Sequence, residues 1–184
     1  MDGPGVAITA KLPVAIRSWS GQEEEFAEFM GDNRVLLRAL LIWEEECSNA
    51  EEDDRSALAQ LQIKTDLLLT LLSAGIRAQE PLPAQYPCEL RSDSLQIAID
   101  DDWKPFDSPA QVEIFLHPRL AMPLRLPGAG FEKMVTDSVT PLWRFPFRLS
   151  PSVQEMLDRL IFRHHRREVA RLRESRMDRK TRKE

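Results

Sequence analysis

The stretch WRFPFRLSPSVQEMLDRLIFRHHRR, from Trp143 to Arg167, constrains the fold of this chain more than any other. Trp143, Phe145, Phe147 and Leu149 alternate, which predicts a strand with one buried face. A helix follows with no linker: Ser150 stands at the N-cap and Pro151 at the first helical position. Val153, Leu157, Leu160 and Ile161 then share one helical face, after which the sequence turns basic. A strand that feeds straight into an amphipathic helix needs a sheet for that helix to cover. Such a unit suits binding or assembly more than catalysis. No G-x-S-x-G, P-loop or Cys/His nucleophile pattern occurs in the sequence, so the chain is read as a non-enzyme.

At 184 residues the chain makes one domain, or one domain with an appended element. Its 42% apolar and 30% charged content belongs to the soluble globular class. No apolar run is long enough to span a bilayer, and the start MDGPGVAITAKLPVAI lacks the apolar stretch of a signal peptide. Cys47 and Cys88 have no metal-ligand spacing; a reducing, cytoplasmic setting fits them, with a disulfide left open. The net charge of −5 hides an asymmetry. Residues 22–54 hold twelve acids against two bases, whereas residues 159–184 hold eleven bases against four acids. These regions of opposite sign attract each other, within a chain or between chains.

Residues 1–20 contain two short alternating pieces, Val6/Ile8 and Val14/Ile16, each an edge-strand candidate; Pro13 argues against a central strand. Residues 21–75 predict two long helices. Ser20 with Glu23 forms a capping box that opens the first, to about Glu46, with a potential break at Gly31-Asp32-Asn33. Ser48 with Glu51 opens the second, which runs to Ala74 and ends with Gly75 at C′. Phe26, Met30, Asn33, Leu37 and Leu40 in the first helix alternate at spacings of 3 and 4. So do Leu58, Leu61, Thr65, Leu68 and Leu72 in the second. This is the stripe of knobs-into-holes packing. Ile63, Leu67, Leu69 and Leu71 make the second helix apolar nearly all round, so it needs more than one partner. Two readings stand. The helices pack on their own β-domain, or Phe26, Met30, Leu37, Leu40, Leu58, Leu61, Leu68 and Leu72 form an oligomer interface; the second is adopted. Asn33 then either sets register within the seam or is solvated beside Gly31.

From residue 76 short strands and turn signals take over, through 168. Leu95, Ile97 and Ile99 alternate, as do Val112, Ile114 and Leu116, with further candidates near Tyr86–Arg91, Leu124–Leu126 and Phe131–Asp137. About six short strands predict a small antiparallel barrel. Residues 169–184 are rich in Arg and Lys without a sustained apolar face, which predicts a frayed, disordered tail.

The C-terminal pattern F-x-L-S-x-x-x-Q-x-x-L-x-R-x-I-F is carried by Phe147, Leu149, Ser150, Gln154, Leu157, Arg159, Ile161 and Phe162. Together with ELRSDSLQIAI, a turn with Trp103, QVEIFLHP and PLRLPG before it, this resembles a PilZ domain over about Pro87 to Arg167. The helical insert is similar to the atypical, tetramer-forming PilZ branch. The resemblance implies an α+β fold: a six-stranded antiparallel PilZ-like β-barrel with a C-terminal helix, plus two heptad-bearing helices in an oligomeric bundle. It also implies a homotetramer working with a protein partner in cyclic di-GMP-linked motility, type IV pilus function or virulence.

PilZ domains bind cyclic di-GMP through an Arg-x-x-x-Arg segment and an (Asp/Asn)-x-Ser-x-x-Gly turn. Arginines grip phosphate bidentately, and the glycine permits close backbone approach. Here the turn aligns with Ser92, Asp93, Ser94, Leu95, Gln96 and Ile97: Ser94 is kept, Ser92 replaces the acid or amide, and Ile97 replaces the glycine. Between Gly75 and Arg91 only Arg77 and Arg91 are arginines, so the first motif is missing from its place. Literal matches at Arg34/Arg38, Arg144/Arg148, Arg159/Arg163 and Arg163/Arg167 lie elsewhere. No cofactor is therefore expected by the typical motifs. A direct receptor built on Arg91, Arg144 or Arg148 is the first alternative.

The second alternative is a nucleic-acid binder using the basic cluster Arg163, His164, His165, Arg166, Arg167, Arg171 and Arg173. Against it, the cluster lacks interleaved aromatics and a recognition motif. His164 and His165 point to different helix faces and make no chelating pair. Asp100, Asp101 and Asp102 read as a charged hairpin turn rather than a cation site.

Overall fold

The two short pieces expected near Ile8 and Val14 form one eleven-residue strand, β1 (Ile8–Ser18), at the centre of a seven-stranded sheet. The computed structural model describes residues 6–49, 61, 65, 68, 72, 75, 76, 81–99, 109–117, 120–135 and 140–181. Helix α1 (Glu23–Asn49) follows β1. Then come β2 (Gln85–Leu90), β3 (Ser94–Ala98), β4 (Ala110–Ile114), β5 (Leu124–Gly128), β6 (Glu132–Met134), β7 (Leu142–Pro146) and helix α2 (Pro151–Thr181).

Every named pairing is antiparallel, in the order β5-β4-β1-β2-β3-β7-β6. The expectation of six strands in a closed barrel is corrected to seven strands in an unclosed sheet. The additional strand is β1. Its first half, Ile8 to Pro13, pairs with β2, and its second half, Val14 to Ser18, pairs with β4. Pro13 sits at this change of partner. Its carbonyl accepts from the Phe115 N–H at 3.1 Å. The bond a proline cannot return falls just beyond the end of β4, so the central position is tolerated.

One bridge, Gly128 to Phe147, and the Arg148 N–H donating to the Pro127 carbonyl at 2.8 Å bring the end of β5 against the end of β7. A Cβ at Gly128 would overlap the Pro146 carbonyl oxygen and the Phe145 ring, so only glycine permits this approach.

Helix α2 starts as the sequence predicts. The Gln154 N–H donates to the Ser150 carbonyl at 2.9 Å, and Val153, Leu157, Leu160 and Ile161 are buried among the strand residues. The disordered tail expected from residue 169 is corrected: α2 is helical to Thr181. Glu, Ala, Arg, Leu, Met and Lys are strong helix formers, and a helix already nucleated against the sheet propagates through them.

Helix α1 is continuous through Gly31-Asp32-Asn33, not broken there. Its capping carboxylate is Glu25 rather than Glu23: Glu25 Oε2 accepts from the Ser20 hydroxyl and, at 3.4 Å, from the Ser20 N–H. Gly21, at φ +78°, makes the turn that offsets the motif. Gly75 does not end the second helix in a left-handed conformation; Gly75 and Ile76 are both helical. Glu51, and with it the second capping box, lies outside the described residues.

The seam of α1 is packed inside its own chain. Met30, Leu37 and Leu40 are buried in the core with Phe29 and Leu36, and Phe26 packs partly buried against it. As an oligomer interface Met30, Leu37 and Leu40 are corrected to core, and Phe26 to a half-buried flank of it. The reason is a polar group. Asn33 is fully buried; its Nδ2 donates to the Arg125 carbonyl at 2.7 Å, and the Arg125 N–H donates to its Oδ1 at 2.8 Å. The amide thus satisfies both backbone groups that edge strand β5 presents at Arg125. Asp32 pairs with the Arg125 guanidinium at 2.6 Å, which lies over the Phe29 ring. The two helices run side by side in one direction: Met30 Sδ accepts from the Ser150 N–H, Arg34 donates to Ser152 Oγ, and Arg163 donates to the Leu41 carbonyl.

Strand β4 is buried on both faces, including Gln111 and Glu113. Glu113 is satisfied by Arg17 at 3.0 Å and by the Gln111 amide at 3.0 Å, with Arg125 at 3.7 Å.

Two outcomes follow from this packing. Asn33→Ala leaves the Arg125 N–H and carbonyl buried without partners, and urea unfolding should show a loss of about 2–4 kcal/mol; a loss under about 0.5 kcal/mol would mean that the clamp does not hold α1. Cys88, buried in β2, has its thiol pushed up from 9.0 to about 12, by desolvation above all and against a lowering backbone hydrogen bond from Leu12. A raised folded pKa gives stability that is full below the unfolded value and is lost as pH rises from about 9 towards 12. In a Cys47→Ser background, Cys88 should resist a thiol reagent at pH 8 until the chain is unfolded. Cys88→Ala should then lose less of its urea midpoint between pH 8 and pH 10.5 than its parent, and an equal loss would refute the assignment.

Candidate functional site

The turn between β2 and β3 is built from backbone and side-chain bonds. The Arg91 N–H donates to the Ser94 carbonyl at 2.9 Å, and the Phe147 N–H donates to the Asp93 carbonyl at 3.2 Å. The Ser94 hydroxyl donates to Asp93 Oδ1 at 2.9 Å, and Ser94 is buried. Helix α2 reaches the same turn: Gln154 Nε2 donates to the Ser92 carbonyl at 2.6 Å and to Asp158 Oδ1 at 2.9 Å. Ser92 is exposed, and Ile97 is fully buried in the core, opposite Cys88 and Trp143 in the ladder.

Ile97 is a core residue because β3 alternates, and its side chain fills the interior between β2 and β7. The three motif positions therefore differ in kind. Ser92 offers a carbonyl already used by Gln154, Ser94 a hydroxyl already used by Asp93, and Ile97 no polar group.

The arginines around this turn are brought close to it, and each meets a carboxylate. Arg91 pairs with Glu89 at 2.6 Å. Arg144, opposite Gln96 in the ladder, pairs with Asp93 at 3.3 Å and with Glu132 at 4.0 Å. Arg148 pairs with Glu23 at 2.9 Å and stacks over the Phe26 ring, 4.3 Å from its centroid. These are surface pairs of modest strength, about 0–1 kcal/mol each, but each sets a negative charge beside the arginine that a bis-phosphate ligand would have to reach. The other literal Arg-x-x-x-Arg matches are dispersed. Arg34 serves Ser152, Arg159 serves Glu155 on its own helix, and Arg163 serves the Leu41 carbonyl.

Asp93 and Glu23 are the residues that sequence reasoning missed. Asp93 occupied an unconstrained position of the aligned motif. Glu23 lies 125 residues from its partner Arg148, and no local pattern joins them.

The second candidate surface lies on the second helix. Leu61, Thr65, Leu68 and Leu72 are helical and exposed; Leu61, Leu68 and Leu72 keep 62%, 67% and 64% of their surface. The Thr65 hydroxyl donates to the Leu61 carbonyl, which removes its polar group from the stripe. Leu58 lies outside the described residues. The basic cluster lies on α2: Arg166, Arg171 and Arg173 are exposed, while Arg163 turns inward to α1. Among the described residues no group of three or more His, Cys, Asp and Glu is arranged to hold a metal. No described helix is long and apolar enough to cross a membrane. Asp100, Asp101 and Asp102 lie outside the described residues.

A family model described as "atypical PilZ domain, cyclic di-GMP receptor" matches residues 37–174, well over half of the chain. Among solved structures, the chain is similar to a tetrameric PilZ domain, self-assembled via an unusual helical bundle, of a pathogenic protein from Xanthomonas campestris. The TM-score is 0.69 at 22% identity, covering 92% of this chain and 93% of that one; at that identity the likeness is one of fold. No curated relative matches the sequence.

Proposed function

The chain belongs to the atypical PilZ domain family, whose members are described as cyclic di-GMP receptors, and from that premise we propose that it is a non-enzymatic adaptor in cyclic di-GMP-linked signalling. It works in the cytoplasm, in motility, type IV pilus or virulence pathways, through a protein partner. It does not bind the dinucleotide in the typical way. The observation that carries this reading is the pairing of Arg91, Arg144 and Arg148 with Glu89, Asp93 and Glu23. A ligand bearing two phosphates must displace those carboxylates, and the turn gives little in return. Ile97, at the position of the motif's glycine, is turned into the core and offers a ligand no polar group.

The oligomeric part of the proposal rests on Leu61, Leu68 and Leu72. Three exposed leucines at spacings of 7 and 4 on one helix, with Thr65 between the first two, make an apolar stripe uncovered among the described residues, and a second copy of the same helix matches it in pattern. The helical bundle of the Xanthomonas protein supports a tetramer.

Titration calorimetry with cyclic di-GMP at moderate salt should give no saturable heat in the low-micromolar range. Tight binding that is abolished by Ser94→Ala would overturn the loss of the typical site. The double variant Leu61→Asp/Leu68→Asp should elute as a monomer by light scattering, with the circular dichroism of the parent. A well-folded oligomer of unchanged mass from that variant would defeat the proposed interface.

A further inference from the structure

The two oxygens of the Asp93 carboxylate have different partners. Oδ1 accepts from the Ser94 hydroxyl at 2.9 Å, and Oδ2 accepts from Arg144 Nη2 at 3.3 Å. Ser94 is the residue of the (Asp/Asn)-x-Ser-x-x-Gly turn that this chain keeps, and Arg144 stands beside the turn, opposite Gln96 in the ladder. One acid thus holds both the hydroxyl and the guanidinium that a phosphate at this turn would meet. The acid is itself held in place. The Phe147 N–H donates to the Asp93 carbonyl at 3.2 Å, the Arg91 N–H to the Ser94 carbonyl at 2.9 Å, and Gln154 Nε2 to the Ser92 carbonyl at 2.6 Å. With the backbone pinned on both sides, the carboxylate competes from a fixed position, and a free anion must exceed its effective concentration there.

We propose that Asp93 is the specificity-determining residue of this turn: a built-in anion that takes the place of a ligand's phosphate and closes the turn to cyclic di-GMP. This rests on the reading that the chain does not bind the dinucleotide in the typical way, and it gives that reading a cause that one substitution removes. It also separates Asp93 from the second carboxylate on the same guanidinium. Glu132 lies farther from Arg144, at 4.0 Å, and the single hydroxyl proton of Ser94 already goes to Asp93. Both acids lower the charge that Arg144 presents, but only Asp93 also occupies the serine.

Titration calorimetry with cyclic di-GMP at low salt, where screening is weakest, compares variants of the full chain. Asp93→Asn removes the charge and keeps an oxygen for Ser94. It should bind saturably, at least about tenfold tighter than the parent. Adding Arg144→Gln should abolish that gain. Glu132→Gln, which removes the same unit of charge from beside the same arginine, should change the affinity less than about twofold. An Asp93→Asn protein with the circular dichroism of the parent and no gain overturns the proposal. So does a gain that survives Arg144→Gln, and so does an equal gain from Glu132→Gln, which would mark a general charge effect. Those three outcomes leave the loss of typical binding standing. Low-micromolar binding by the parent itself overturns that reading and the proposal together, because the turn would then be open. Should Asp93→Asn fail to fold, Asp93→Ala takes its place, with the same gain expected and the same outcomes deciding.

Discussion

One side-chain amide, Asn33, joins helix α1 to the edge of the sheet, and much of the architecture depends on it. An edge strand presents unpaired N–H and carbonyl groups that invite another strand. At Arg125 those groups are taken by an amide with the same donor and acceptor spacing as a peptide, delivered from a helix. The amide is buried, so its alternatives are poor: leaving it unpaired in that surrounding is worse than any rearrangement that keeps it. Once Asn33 is fixed, Met30, Leu37 and Leu40 must face the core, and α1 must lie beside α2. The first helix then belongs to the β-domain, whereas Leu61, Leu68 and Leu72 of the second face outward.

The same arrangement determines which arginines are available. Glu23, in the first turn of α1, meets Arg148 only because α1 starts beside the end of β7. Asp93 meets Arg144 because β3 and β7 are neighbours in the sheet. The acidity of α1 thus acts locally, through a named pair at the turn, as well as through the bulk charge that separates the two ends of the chain.

Where local chemistry decided an element, the sequence was readable. Ser150-Pro151 starts α2, and the alternation of Leu95 and Ile97 and of Trp143 and Phe145 marks β3 and β7. The failures at Pro13, at Asn33 and along the α1 seam share a cause: each turns on a contact between residues far apart in sequence. Pro13 looks wrong for a central strand until β4 is seen to end beside it. Asn33 looks like a seam or solvated residue until Arg125, 92 positions away, is seen to claim it. A 3-4 spacing reports that a helix has an apolar stripe, and it is silent on whether the stripe meets a sheet or another copy. At the candidate site, the degenerate turn was visible as Ser92, Ser94 and Ile97, whereas its counter-ions were not.

The length of α2 has a mechanical side. At 1.5 Å per residue its 31 residues span about 46 Å, and Ile161, eleven residues from the start, is the last described side chain of the helix that is buried. The root is gripped by the β2–β3 turn through Gln154 and by α1 through Arg163. The remainder is a lever about 30 Å long, and a tilt of about 10° at its pivot sweeps its far end through about 5 Å. A displacement too small to alter the sheet is thereby magnified at the far end of the helix.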